Sequence, residues 1–134
     1  MAQGYKRVKP LWGPGAVGNE GSQGFSLISA ATTNATLVVA GPCLLTALIG
    51  MNVSAAAKFL RLYDAAKVPT AGSGTPSRRI VIPGSTTGAG LVLAPCVPMR
   101  FLTGLALTIT GASPDNDTTA LALGDVILSL EYIA

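Results

Sequence analysis

What this chain lacks narrows its chemistry first. Its 134 residues contain no histidine. Without an imidazole, neither a Ser-His-Asp nor a Cys-His arrangement can be assembled, and the usual general base near neutral pH is missing. Only two cysteines occur, Cys43 and Cys96, 53 positions apart. Two thiols fall short of the four ligands of a structural zinc site, and both are expected to be reduced and buried. Charged residues are scarce too, at 11% of the chain, against about 25% in an ordinary soluble domain. The net charge of +3 is too small for a nucleic-acid footprint.

With 49% hydrophobic residues, the apolar surface must be covered by lipid or by protein. Ala35 to Val53 is nineteen residues without a charge, about the length that spans a bilayer. Gly41-Pro42 interrupts it, however, and its Val, Thr and Gly residues punctuate it as two strands and a turn. There is no second span, and Lys6, Arg7 and Lys9 are followed by Pro and Gly rather than by an apolar run. Cover by protein is therefore expected, and no membrane partner.

The remaining candidate sites also read as structural. Gly72-Ser-Gly74 and the stretch Gly84 to Gly90 lack the Gly-Lys-Ser/Thr of a phosphate-binding loop and read as turns. Asp115-Asn-Asp117 could offer oxygens to a cation, but it lacks the following glycine and closing glutamate of a calcium loop. Asx residues of this kind are ordinary turn formers. Arg78-Arg79 reads as a solvated or intersubunit pair. No catalytic residue, metal, cofactor or small-molecule substrate is assigned, and the chain is not expected to be an enzyme.

What is present is alternation. Phe25 and Leu27 share one side of a first strand, with Ser29 next in line, and Thr36 to Ala40 is a short β-branched second. In Leu44 to Ser54, the residues Leu45, Ala47, Ile49, Met51 and Val53 fall on one face, predicted to be the covered one. Lys58-Phe-Leu-Arg-Leu-Tyr-Asp64 satisfies both a strand and a helix pattern. As a strand it sets Leu60 and Leu62 against Phe59, Arg61 and Tyr63. Its neighbours decide for a strand, since a lone helix would find no face to pack on between two paired sheets. Ile80 and Ile82, a short Leu91-Val-Leu93, then Leu105, Leu107 and Ile109, and finally Val126, Leu128, Leu130 and Tyr132 complete the series. The expectation is one all-β domain over 24–134, an eight-stranded jelly-roll-like antiparallel β-sandwich.

Residues 1–23, with five glycines and two prolines, are expected to be a separate, extended arm. Its basic cluster, Lys6, Arg7 and Lys9, is flanked by Tyr5 and Trp12, aromatics of the kind that anchor interfaces. These five residues are the candidate partner-binding site.

Lys58 to Asp64, the following Val68-Pro-Thr70, Thr75-Pro76 before Ile80 to Pro83, Gly104-Leu-Ala106 through Ile109-Thr-Gly111, Asp115 to Thr119 and Gly124-Asp-Val126 together resemble a family of small virion proteins of tailed bacteriophages. The resemblance covers about 35–134 and leaves out the arm. It implies a β-sandwich of the phage particle that serves as a capsid decoration, or cement, protein. Such a protein would be a homotrimer made in the host cytoplasm and bound to the major capsid protein on the outer surface of the virion. A neck, tail or fibre-base part on the same sandwich is the alternative, and a lectin-like glycan binder is a further one.

Overall fold

The computed structural model describes residues 21–134. Tyr5, Lys6, Arg7, Lys9 and Trp12 lie outside the described residues. Among the described residues there are nine strands and no helix: β1 (Gln23–Ile28), β2 (Thr36–Val39), β3 (Cys43–Asn52), β4 (Lys58–Asp64), β5 (Arg78–Ile82), β6 (Ala89–Leu93), β7 (Met99–Phe101), β8 (Leu105–Thr110) and β9 (Val126–Ile133). Sheet A runs β1-β9-β3-β6, with β7 also on β3, and sheet B runs β2-β8-β4-β5. Lys58 to Asp64 is thus a strand, held between β5 and β8.

The pairing is nested. β1 meets β9, β2 meets β8, β3 meets β6 and β7, and β4 meets β5, every pair antiparallel. The chain therefore forms one long hairpin whose successive rungs alternate between the two sheets. Rolling it up brings β9 against β3 and β8 against β4, which is the wrapping of a jelly roll. The ninth strand, β7, is not among the eight expected, which have only Leu91 to Leu93 here. β6 and β7 lie end to end along the same edge of β3, and six residue steps from Leu93 to Met99 oppose only three from Leu48 to Leu45. Pro95 and Pro98 occupy that excursion, where a residue without an N–H is tolerated because the ladder is already open. Cys96 rides on the excursion and is exposed, contrary to expectation, while Cys43 is buried on β3.

The core lies between the sheets. Leu60, Leu62, Leu105, Leu107, Ile109, Leu128 and Leu130 are all buried, as their alternation predicts. Leu45, Leu48, Ile82, Phe101 and Val126 join them, with Phe25 and Leu27 packed at the margin.

β3 departs from the predicted faces. Its pairing with β9 slips between Leu45 and Ala47. A bulge adds one residue to one strand, so every side chain beyond it changes face. Leu45 points inward, but after the bulge Leu48, Gly50 and Asn52 are the buried ones. Ile49, Met51 and Val53, expected in the core, are 52%, 47% and 42% exposed. Gly50 fits inward because a Cβ there would stand 3.1 Å from Ile82 Cδ1. Asn52 is satisfied by donating to Ala56 O (3.0 Å) and accepting from Ser54 N (2.9 Å).

Candidate interaction surface

The outer faces of the two sheets differ in what covers them. Besides the half-buried Phe59 and the exposed Arg79 and Val81 of the edge strand β5, alternation on sheet B turns five further residues outward, Arg61 and Tyr63 on β4 and Ala106, Thr108 and Thr110 on β8. All five are nonetheless buried. For Arg61 and Thr110 the 111–119 loop accounts for this. The Arg61 guanidinium donates to Thr110 Oγ1, to the carbonyls of Ala112 and Ser113 (2.9 Å each) and to that of Pro114. Its Nε lies 3.5 Å from Asp115 Oδ1, an ion-pair distance. A cation taken out of water is tolerated only with such a complement of acceptors. The 111–119 loop is thereby clamped over sheet B.

Arg61 sits directly opposite Arg79 on β5, a like-charge juxtaposition that costs free energy by itself. Asp115 resolves it by taking a fork from Arg79 Nε and Nη2 while facing Arg61. The Arg79 guanidinium beside it holds the Asp115 carboxyl below the usual carboxylate range.

The remaining acids are similarly employed. Asp64, at the end of β4, accepts the backbone N–H groups of Leu102 (3.0 Å), Thr103 (2.7 Å) and Gly104 (3.2 Å). Those bonds, the one from Leu102 foremost, hold its carboxyl below the ordinary value. Gly104 lets two strand ends meet, since a Cβ there would stand 2.4 Å from Ala65 O and 2.6 Å from Val39 O. Desolvation pushes the Asp117 carboxyl up, but this is outweighed by the Thr119 hydroxyl (2.7 Å) and the Ala112 N–H (2.9 Å), and the carboxyl ends below its usual range. Lys58 pairs with Asp125 at 3.3 Å. The Asp115-Asn-Asp117 cluster is therefore a loop clasp. Among the described residues, no group of three or more His, Cys, Asp or Glu could hold a metal ion.

Sheet A presents the opposite picture on its outer face. The register aligns Ile28 of β1 with Ile127 of β9, Ile127 with Met51 of β3, and Met51 with Gly90 of β6. The next row is Ser26, Ser129, Ile49 and Val92. Ile28 is 66% and Val92 71% exposed. The outer face of an antiparallel sheet in water is normally polar, yet these two rows contain no charge. Ile49, Met51, Val92, Gly90 and the turn at Thr87-Gly88 border a shallow trough of about 380 Å³. Sequence reasoning missed this surface because the bulge in β3 leaves no mark in the alternation.

No helix among the described residues is long and apolar enough to cross a membrane. No family model matches the chain, and no curated protein matches it. Solved structures overlap it, two of them viral. One is a virus-like particle of the extra small virus of the giant freshwater prawn Macrobrachium rosenbergii, with a TM-score of 0.36, 16% identity and 98% of this chain covered against 93% of that one. The other is the tobacco streak virus coat protein, with a TM-score of 0.35, 11% identity and 85% of this chain covered against 88% of that one. Overlaps this loose assign neither family nor function.

Proposed function

We propose that this chain is a structural protein of a bacteriophage virion, a decoration (cement) protein that sits on the outer capsid surface, self-associates as a trimer and stabilises the shell. One observation carries the structural part of this reading: the charged groups that the fold brings together hold loops. Arg61 clamps 111–119, Asp64 ties down 102–104, and Asp117 closes its own loop on Ala112. The trough on sheet A is bordered by apolar side chains and glycine, with no acid or base to act on a substrate. The products are loops tied down by their own chain, which suit a protein whose task is to fit between neighbours.

Jelly rolls also serve as lectins, so fold alone does not decide. Sugar recognition favours an exposed ring, and the described aromatics are placed otherwise: Tyr63 and Phe101 are buried, while Phe25, Phe59 and Tyr132 are half-buried. On this reading the arm adds the shell contact, with Lys6, Arg7 and Lys9 pairing with acidic groups and Tyr5 filling an apolar pocket. The test is a map of purified particles together with a count of this chain per particle. Hundreds of copies outside the shell are expected. A few to a few dozen at one vertex would assign a neck or tail part instead, and absence from particles would refute a virion role.

A further inference from the structure

The apolar outer face of sheet A is left open by every described element, and its position relative to the chain's start suggests what covers it. We propose that the chain's own N-terminal segment, residues 1–20, folds back across this face and seats Trp12 in the trough between Met51 and Val92. This goes beyond the virion role and does not depend on it. It moves Trp12 from a shell contact to the chain's own surface.

Four considerations support this assignment. The first is connection: the segment leads directly into β1, which is an edge strand of sheet A. The second is reach. From Gln23 the trough lies about five residues along the strand and three strands across, or roughly 22 Å at about 3.3 Å per residue and 4.8 Å per strand. Trp12 lies eleven positions before Gln23, enough for roughly 36 Å of extended chain.

The third consideration is chemistry. Gly90 stands where a side chain would otherwise fill the row beside Met51, and the gap is apolar and uncharged, a fit for the face of an indole and a poor one for phosphate or carboxylate groups. Leu11 and Val17 can add apolar contact along the same path. The fourth is competition. A segment joined to its site by a short stretch of chain acts at an effective concentration on the order of millimolar. A second copy of the protein at micromolar concentration is about a thousandfold more dilute, so the tethered segment occupies the face first.

Trp12 is the only tryptophan in the chain, so its fluorescence reads the proposal directly. In the full chain we expect blue-shifted emission and acrylamide quenching several-fold weaker than in the urea-unfolded chain, both unchanged through a micromolar dilution series. Met51→Glu and Val92→Glu, at exposed positions on this face, should return Trp12 to water-like emission without altering the melt. Val81→Glu, 52% exposed on β5 of sheet B, should leave the emission as it was. Water-like emission from the parent protein would overturn the proposal. So would a blue shift that disappears on dilution, which would give the face to a second copy, or one that survives both substitutions on sheet A.

Discussion

Removing the Arg61 guanidinium should loosen the whole outer side of sheet B. Four hydrogen bonds leave this group, to Thr110, Ala112, Ser113 and Pro114. Nη2 shares its two N–H groups among three carbonyls, so with Nη1 the group makes about three bonds' worth at about 1.5–3 kcal/mol each, or roughly 5–9 kcal/mol together. Desolvating the cation offsets several kcal/mol of that. We therefore expect Arg61→Ala to cost about 3–5 kcal/mol, the range for removing one partner of a buried charge pair. For a domain of this size that is a fall in Tm of roughly 10–20 °C. Arg61→Met separates the clamp from the packing, because it keeps the apolar stem over β4 and β8. It should melt closer to the parent while the 111–119 loop becomes sensitive to protease. Circular-dichroism melts and timed proteolysis read both quantities. If Arg61→Met keeps a protease-resistant loop and Arg61→Ala melts within about 1 kcal/mol of the parent, the loop is held by something other than Arg61.

In the core, Leu128→Ala should cost about 2–5 kcal/mol in denaturant titrations, since Leu128 is fully buried on the central strand β9. Gly104→Ala should destabilise by about 1–3 kcal/mol, because the new methyl meets two backbone carbonyls; an unchanged midpoint would mean that the two strand ends can part freely. Asp64, Asp115 and Asp117 all have lowered carboxyl pKa values. Their stabilisation is therefore fully present above the unfolded-state value near 4 and is lost as the pH falls through the folded-state values below it. Melts between pH 6 and about pH 2 should show that loss, and Asp64→Asn should make it shallower.

Much of the sandwich was legible because inward parity survives wherever a strand is regular. β4, β8 and β9 bury the leucines and isoleucine their alternation selects, and β1 and β5 turn theirs toward the core. Three features were not legible, each for a physical reason. The bulge near Thr46 reverses the faces of β3 without changing composition, so Ile49 and Met51 look like core residues in sequence and stand outside in the fold. The β6–β7 edge is one strand position split by an excursion, and only the partner strand shows that the halves belong together. The burial of Arg61 comes from a loop that starts fifty residues further along the sequence, which no local pattern contains. The apolar face of sheet A inherits the first of these failures.

The nested pairing also constrains how the chain can be made. β9 lies between β1 and β3 and pairs with both, yet it is the last of the nine strands to be synthesised. Until it arrives, β1 has no partner in sheet A and β3 keeps one side of its ladder open. Contacts that close across so much sequence are slow to form, because the loop entropy must be overcome before the pairing repays it. Unpaired strand edges are the features most prone to join the wrong chain in the meantime. A growing chain of this design thus cannot fold strand by strand as it emerges. It completes sheet A in one late step, when the Val126–Ile133 segment slots into the gap. The vulnerable interval in this protein's life is therefore its synthesis, and slowing translation ahead of that segment should lower the soluble yield of a protein that, once closed, has its central strands paired on both sides.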